Sequence, residues 1–336
     1  MYRPSKAKSF TRQYGDVPRS SLDRDDVPAS PTSSDSSIDE EEVNRRARPY
    51  WPKYRSILKS RGFRLDTVRD VKLLYGSIGR TSSTGAYVDG NEDLQDENAL
   101  CPDAGLPDNL FRGTRISDSK RVVFKAVHAG SREFSIIRTL SQPPMVYDQM
   151  NHTIPVVDLF EIPKDDIAFI VMEEWSSNLV ASSGAPCCIT CFLSALRQMI
   201  EHIAFLHMHR IAHLDISLMN LLTDYNGRYA YIDYENSRNF RGVSNPLVYN
   251  YRGTELPPES EKNIGIDPFK VDVWALGVLI LRACKSKGYF VPDLMYVVNP
   301  MLEDDPARRP TAFGALQMYD KITGYRLEQG CKKSHI

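Results

Sequence analysis

The stretch HLDISLMNLLTDYNGRYAYIDYE, residues 213–235, decides how this chain is interpreted. It presents His213-x-Asp215, then Asn220, then Asp233 directly after the aromatic and apolar run YAYI. Acidic residues in loops are usually solvated, so one Asp and one Asn alone would mean little. Here the polar residues keep a regular order around short apolar runs, and further motifs on both sides of the stretch agree with it. The pattern therefore predicts a functional site rather than a polar surface.

Strands precede this stretch and helices surround and follow it. RVVFKAV (121–127) and AFIVMEEW (168–175) are β-rich runs bounded by polar turns. SREFSIIRTL (131–140) has a helical apolar period with Ser131 as its N-cap. The segment CFLSALRQMIEHIAFLH (191–207) predicts a helix with one apolar face, formed by Leu193, Leu196, Met199, Ile200, Ile203 and Leu206. This order predicts an α+β fold with a small β-rich lobe and a larger helical lobe.

Composition divides the chain into four parts. Residues 1–45 are rich in Ser, Asp, Glu and Pro and predict a disordered tail, because they have too little apolar surface to offset the entropy of ordering. Residues 46–109 predict an extension that packs on the main domain, with a polar loop over 81–98. Its helix would bury residues at roughly helical spacing, namely Tyr50, Trp51, Tyr54, Ile57 and Leu58. The main domain is predicted over 110–325, and a short tail over 326–336.

Charge and hydropathy argue against two classes of partner. The formal net charge is −1, so nothing in the overall charge favours nucleic acid or an anionic membrane. The N-terminus has no apolar core of the signal-peptide kind, and the apolar run Val273–Leu281 has about half the length that spans a bilayer. We expect a soluble protein of the cytoplasm or nucleus.

The six cysteines do not form the pattern of a disulfide framework. Cys187, Cys188 and Cys191 lie close together and would suit a metal clip. No second Cys/His pair follows at zinc-finger spacing, and structural zinc takes four ligands. Reduced, unliganded thiols are the favoured interpretation and a metal clip is the alternative.

The stretch 213–235 resembles the eukaryotic protein kinase family, whose catalytic loop reads H-R-D-x-x-x-x-N and whose metal motif reads D-F-G. The resemblance implies ATP and Mg²⁺ as cofactors and a protein hydroxyl as the acceptor. It also implies that Asp215 is the catalytic base, and that Asn220 and Asp233 are the metal ligands. His213 would be a structural residue of the same loop. HLDIS and the segment 48–72 are also similar to kinase-like proteins that are abundant in fungi.

Motifs before this stretch resemble the nucleotide-binding half of the same family. RVVFKAV is similar to the V-A-I-K strand, which implies that Lys125 binds phosphates and acts in catalysis. Glu133, eight residues later, would be its ion-pair partner. The segment 172–175 resembles the hinge that contacts adenine, which implies cofactor-binding roles for Met172, Glu173 and Trp175.

Motifs after the stretch resemble the family's scaffold. GTELPPE (253–259) is similar to the end of the activation segment, DVWALGVLI (272–280) to the D-V-W-S-x-G helix, and DPARRPT (305–311) to the closing motif. The resemblance implies that Asp272 holds the catalytic-loop backbone and that Glu259 pairs with Arg309 in a buried site. Lys125, by contrast, is expected in an open cleft, where its removal would cost little stability.

Several positions depart from the family pattern. No G-x-G-x-x-G precedes Lys125, and the window 101–120 contains only Gly105 and Gly113. Glu235 stands where glycine is usual, Leu214 replaces the arginine that docks a phosphorylated activation loop, and Ser217 replaces a phosphate-binding lysine. Activity is therefore expected not to depend on phosphorylation of the activation segment at Ser237, Ser244, Tyr249, Tyr251 or Thr254.

Three functions remain open at this point. The first is an ATP-dependent protein kinase that phosphorylates Ser/Thr hydroxyls, or less readily Tyr. The missing glycine loop motivates a pseudokinase that binds partners without catalysis. Ser217 and the compact activation segment motivate a small-molecule phosphotransferase of similar fold.

Overall fold

The computed structural model describes residues 48–78, 96–103, 105–176, 188–262 and 264–328. The predicted tail over 1–45, most of the predicted loop over 81–98, Cys187 and the last residues from 329 onward lie outside the described residues.

A five-stranded antiparallel sheet forms the first lobe. Its strands are β1 (Phe63–Leu65), β2 (Leu110–Arg115), β3 (Arg121–His128), β4 (Val156–Ile162) and β5 (Ile167–Glu173), in the order β1-β2-β3-β5-β4. Three helices accompany them: α1 (Trp51–Ser60), α2 (Val68–Ile78) and α3 (Arg132–Leu140). The Ser131 hydroxyl accepts from the Phe134 N–H, so the predicted N-cap of α3 is confirmed.

Helices dominate the second lobe: α4 (Ile189–Met208), α5 (Pro268–Lys287), α6 (Met295–Met301) and α7 (Ala312–Glu328). Two short strand pairs lie beside them: β6 (Ile211–Ala212) with β9 (Arg238–Asn239), and β7 (Leu221–Thr223) with β8 (Tyr229–Tyr231). The predicted apolar face of α4 is buried throughout, by Leu193, Leu196, Met199, Ile200, Ile203 and Leu206. The described chain is thus α+β with two lobes, as the order of elements predicted.

Helix α4 is the one described helix that is long and apolar enough to cross a bilayer. In this fold 61% of its apolar window is buried. Its Leu193 carbonyl accepts from the Tyr319 hydroxyl of α7 at 2.7 Å. Packing in the helical lobe therefore accounts for the apolar composition of α4.

The N-terminal extension is part of the sheet lobe rather than a covering layer. Trp51 and Tyr54 of α1 pack on Phe169 with ring centroids 5.8 and 5.1 Å apart, and Leu58 is fully buried. The inclusion of Tyr50 and Ile57 in the buried face was wrong, because their exposed fractions are 71% and 37%. Helical spacing alone cannot decide which edge of the stripe faces the sheet.

Strand β1 was not predicted, and it explains Gly113. Leu65 pairs with Gly113 in antiparallel register. A Cβ at Gly113 would lie 2.4 Å from the Arg64 carbonyl oxygen, which is closer than real contacts allow. Glycine at this position therefore lets β1 approach β2. Residues 66–109 connect β1 to β2, where an ordinary hairpin would have a short turn.

Candidate active site

A cleft of about 810 Å³ lies between the sheet and the catalytic stretch. Strands β2, β3 and β5 line one side, and Met219, Leu222 and Asp233 line the other. Such a volume falls in the ordinary range for small-molecule sites. All six residues expected to bind a nucleotide line this cleft, namely Lys125, Glu133, Met172, Glu173, Trp175 and Asp233.

Lys125 lies at the centre of a cluster of three carboxylates. Its Nζ is 2.8 Å from Glu133 Oε2, 3.0 Å from Asp233 Oδ1 and 2.9 Å from Glu235 Oε1. The expectation of an open cleft at Lys125 was wrong, since the residue is only 9% exposed. The predicted Lys125–Glu133 pair is present, and Asp233 and Glu235 join it because the turn after β8 brings both carboxylates back to β3.

Burial and charge act in opposite directions on the acid–base properties of this cluster. Burial alone would lower the pKa of Lys125, but the three carboxylates hold that pKa well above its ordinary value. Burial raises the pKa of Glu235 to about 7, against the opposing effect of Lys125. For Asp233, burial is outweighed by Lys125, and the pKa is lowered.

Glu133 ties the cluster to helix α3 and to the metal motif. It is 2% exposed, and its Oε1 accepts from Lys125 Nζ at 2.9 Å and from the backbone N–H of Tyr234 at 3.2 Å. Because one carboxylate holds both the lysine and the backbone beside Asp233, movement of α3 would disturb both groups.

Asp272 organises the catalytic loop from below. Its two oxygens accept from the backbone N–H groups of His213 at 2.7 Å and Leu214 at 2.8 Å, and Oδ2 is 2.9 Å from His207 Nε2. Leu214 has φ 63°, a left-handed conformation that is costly for a branched residue. The hydrogen bonds from the fully buried Asp272 keep it there, as expected for Asp272.

Asp215 is held on both of its oxygens. Asn220 Nδ2 donates to Oδ2 at 2.9 Å, and Thr254 donates to Oδ1 from its hydroxyl at 2.7 Å and from its N–H at 2.8 Å. Because Asn220 Nδ2 donates to Asp215, the side-chain oxygen of Asn220 remains available to another group. The backbone N–H of Ile232 donates to the Asn220 carbonyl, so Asn220 lies beside the residue that precedes Asp233.

Thr254 is a site residue whose positioning contact with Asp215 was not predicted. In the sequence it was singled out only as a candidate phosphorylation site. Its place in GTELPPE, after Gly253, was the signal that could have found it. A Cβ at Gly253 would lie 2.5 Å from the Leu214 carbonyl oxygen, so glycine allows the activation segment to approach the catalytic loop closely enough for Thr254 to bond to Asp215.

Tyr234 replaces the usual phenylalanine of the metal motif and has polar partners that phenylalanine would lack. Its hydroxyl lies 2.9 Å from His202 Nε2 and 3.2 Å from Thr153 Oγ1. The backbone N–H of His152 donates to His202 Nδ1, so Nε2 carries the proton and donates to Tyr234. Burial lowers the pKa of His202 well below its ordinary value, which keeps this imidazole neutral.

The predicted Glu259–Arg309 pair is present at the base of the helical lobe. Two parallel hydrogen bonds of 2.7 Å join the guanidinium to the carboxylate, and the residues are 2% and 6% exposed. Arg309 also donates to the carbonyl oxygens of Glu303 and Lys270, at 2.7 and 3.1 Å. The guanidinium lies 4.8 Å from the ring centroid of Trp274.

The segment 172–175 lines the cleft, and its expected contact with adenine stays a prediction. Trp175 Nε1 donates to Glu173 Oε2 at 3.1 Å, which fixes the indole beside the cleft. Glu174 forms ion pairs with Arg112 and Arg121, and Arg121 also pairs with Asp66 of the extension. The extension is thereby tied to the hinge segment by charge as well as by apolar packing.

Ser217 does not face the cleft opening. It is 3% exposed, and its hydroxyl has no hydrogen-bond partner among the described residues. Cys187 lies outside the described residues, so the state of the cysteine cluster stays a prediction. Among the described residues, Glu133, Asp233 and Glu235 form the group of carboxylates close enough together to share a cation, and its oxygen ligands suit Mg²⁺.

Comparison with known proteins agrees with this geometry. A family model described as "Protein kinase domain" matches residues 109–297, which is more than half of the chain. The chain is 30% identical over 141 residues to the mitogen-activated protein kinase kinase kinase YODA of Arabidopsis thaliana, covering 34% of this chain and 16% of that protein. It is 26% identical over 212 residues to a calcium/calmodulin-dependent protein kinase kinase of Caenorhabditis elegans, covering 58% and 37%.

A third relative is the serine/threonine-protein kinase GRIK1 of Arabidopsis thaliana, 28% identical over 183 residues, which cover 51% of this chain and 44% of that protein. The matched regions thus span less than half the length of each of these relatives. Taken with the two-lobed α+β fold and the cluster around Lys125, the family match shows that this chain belongs to the protein kinase family.

Proposed function

We propose that this chain transfers the γ-phosphoryl group of ATP to serine or threonine hydroxyls of a protein substrate, with Mg²⁺ as the metal. The observation that carries the proposal is the set of hydrogen bonds that holds the Asp215 carboxylate. Asn220 and Thr254 hold both of its oxygens, and Asp233, which follows in the same stretch of sequence, lines the cleft together with Lys125. A carboxylate fixed in this way is pre-organised to orient a hydroxyl.

The chain's own residues divide the work of phosphoryl transfer. The segment Met172, Glu173 and Trp175 would receive adenine, and Lys125 would receive the phosphates. The Asn220 side-chain oxygen and the Asp233 carboxylate would hold Mg²⁺, which neutralises phosphate charge when bound. Asp215 would accept the proton of the attacking hydroxyl as the phosphoryl group passes to that oxygen and ADP leaves.

Serine/threonine specificity is supported by the relative named as a serine/threonine-protein kinase. Thr254 donates twice to Asp215 Oδ1 and Asn220 donates once to Oδ2, so Oδ2 can still accept a further hydrogen bond from a substrate hydroxyl. The substrate itself, and the activity of any longer protein that contains this domain, belong to the same proposal.

The activation segment supports activity that does not depend on phosphorylation. Leu214, in the place of the phosphate-docking arginine, belongs to an apolar cluster with Phe240, Val248 and Ile266. Tyr251 packs against this cluster, and its hydroxyl donates to the Glu255 carbonyl. Apolar contacts thus hold the segment where other kinases use charge. Phosphatase treatment should leave the activity unchanged, and loss of activity would contradict this part of the proposal.

Two measurements test the proposal. Mg²⁺–ATP should raise the melting temperature, and labelled phosphate should pass to protein substrates in the wild type but not in Asp215→Asn. Asp233→Asn should abolish metal-dependent nucleotide binding while the fold is kept. A wild-type response to Mg²⁺–ATP in Asp233→Asn would refute the metal role. Nucleotide binding without any transfer would favour the pseudokinase alternative, which the three carboxylates around the Lys125 ammonium also support.

A further inference from the structure

Three carboxylates of the protein surround the Lys125 ammonium. Those of Glu133, Asp233 and Glu235 lie 2.8, 3.0 and 2.9 Å from Lys125 Nζ. Nζ donates hydrogen bonds to Glu133 Oε1 and Asp233 Oδ1, and Glu235 is an ion-pair partner. A nucleotide phosphate must therefore compete with three carboxylates for Lys125.

The three carboxylates differ in how freely they can leave. Glu133 is 2% exposed and also accepts from the Tyr234 N–H, so it is fixed on two sides. The Asp233 side chain is 38% exposed and would turn to the metal when one binds. The Glu235 side chain is 11% exposed and bonds to Lys125 from the turn that follows the metal motif. With Glu133 fixed and Asp233 able to turn away, Glu235 is the carboxylate that would compete with a phosphate for Lys125.

We propose that Glu235 competes with the nucleotide phosphates for Lys125 and so sets the nucleotide affinity of this protein. The inference rests on the proposed function, because it takes Lys125 as the phosphate-binding lysine. In the nucleotide-free protein Glu235 occupies the ammonium as an internal anion. Binding of the phosphates requires its carboxylate to move away from Lys125.

The charge of the cluster favours this competition. Three carboxylates face one ammonium, so acidic groups outnumber the cation at this point of the cleft. A polyphosphate placed on Lys125 would meet this excess at short range, where unit charges interact strongly in a partly buried site. Glutamine is neutral and about as large as glutamate. Glu235→Gln therefore removes the anionic competitor for Lys125 and keeps the space filled.

The test measures ADP binding without divalent metal, in the presence of EDTA, by titration calorimetry. Glu235→Gln should bind ADP roughly tenfold more tightly than the wild type, because a charged competitor has been removed. Adenosine lacks the phosphates, so its affinity should be the same in both proteins. Unchanged or weaker ADP binding by Glu235→Gln, or an equal gain for adenosine, would overturn the inference.

Asp224→Asn is the matched control. Asp224 lines the same cleft, but its Oδ1 accepts from the N–H groups of Asn226 and Arg228 within its own turn. Asparagine can accept the same two bonds, so the turn should persist while one negative charge disappears. Its ADP affinity should stay within about twofold of the wild type. A tenfold gain in this variant would mean that general charge, and not competition at Lys125, controls binding.

Further outcomes separate the inference from the proposed function. Glu235→Gly, the residue usual in the family pattern, provides a second variant if Glu235→Gln fails to fold, and it should also bind ADP more tightly. Phosphate transfer by the wild type with no gain in either variant would refute the inference alone. ADP binding by the variants but not by the wild type would support it and count against wild-type activity. Absence of ADP binding in all of them, in EDTA and with Mg²⁺ alike, would refute both.

Discussion

The two buried ion clusters of this protein are built in opposite ways. At the base of the helical lobe, Arg309 and Glu259 form a neutral pair in which backbone carbonyls complete the guanidinium's partners. In the cleft, which has a volume of about 810 Å³, Lys125 faces three carboxylates, so acidic groups outnumber the cation.

This difference separates scaffold from chemistry. A buried ion pair whose partners are all supplied by the protein has no bonding capacity left for a ligand, and breaking it strands a desolvated charge. A cluster with surplus charge, facing solvent on one side, can exchange a protein partner for a cation or a phosphate. The following predictions test whether the two clusters behave differently, from the largest expected effect to the smallest.

Arg309→Ala should lower the free energy of unfolding by about 3–5 kcal/mol, because it leaves Glu259 charged and buried. Denaturant unfolding measures the change. Arg308→Ala is the matched control: its side chain is 70% exposed and its partner Glu303 is 3.7 Å away, so it should cost less than about 1 kcal/mol. Equal stability of the two variants would show that the Glu259–Arg309 ion pair does not stabilise the helical lobe.

Thr254→Val should reduce kcat by roughly tenfold to hundredfold, because a hydrogen bond to a charged group is worth about 1.5–3 kcal/mol. It removes the hydroxyl bond to Asp215 Oδ1 but keeps the backbone bond and the shape. Thr254→Ser keeps both bonds and should retain most of the activity. Steady-state kinetics with unchanged melting temperatures would assign the effect to Asp215 rather than to folding, and equal kcat in both variants would contradict it.

Lys125→Met should abolish nucleotide binding and also destabilise the protein by about 1–3 kcal/mol. The loss arises because three carboxylates lose their common cation. It should stay below that of Arg309→Ala, because the Asp233 side chain is 38% exposed and can be hydrated. Chemical denaturation compares the two variants directly. A larger loss for Lys125→Met than for Arg309→Ala would reverse the contrast between the clusters.

Tyr234→Phe should cost about 1–2 kcal/mol, because the His202 Nε2–H and the Thr153 hydroxyl lose their common partner in a buried site. The metal motif should also become less firmly held, so the KM for Mg²⁺–ATP should rise more than kcat falls. Thermal unfolding and steady-state kinetics measure the two effects. Wild-type stability and kinetics in Tyr234→Phe would show that the hydroxyl does not position the motif.

His202 should make the stability depend on acid pH. Its folded-state pKa lies well below the ordinary value of 6.5, chiefly because of burial, with neighbouring His152 and His213 adding to the effect. Below pH 6.5 His202 binds a proton in the unfolded chain but not in the folded protein. The stability therefore falls as the pH falls from about 7 to 5. The contribution approaches about 1.4 kcal/mol per pH unit. His202→Gln should show a shallower decline in denaturant titrations, and an equal slope would contradict this assignment.

Much of the fold followed from local sequence patterns. The apolar period of α4, the N-cap of α3 and the β-rich runs around Lys125 depend on neighbours within one turn or one strand, so periodicity sufficed. The Glu259–Arg309 and Lys125–Glu133 pairs followed from the order of the family motifs. Strand β1 did not follow, because three residues carry too little pattern and the pairing partner lies about fifty positions away.

The contacts that distinguish this site were decided by the tertiary structure. Thr254 reaches Asp215 across 39 residues of sequence, Tyr234 reaches His202 across 32, and Glu235 bonds to a lysine on the opposite lobe. Such contacts depend on where separate elements are placed and on which rotamers the packing allows, and neither leaves a periodic signal. The sequence by itself determined which residues carry the chemistry and in what order. The packing of two lobes decided that Lys125 is buried, and that three carboxylates surround its ammonium.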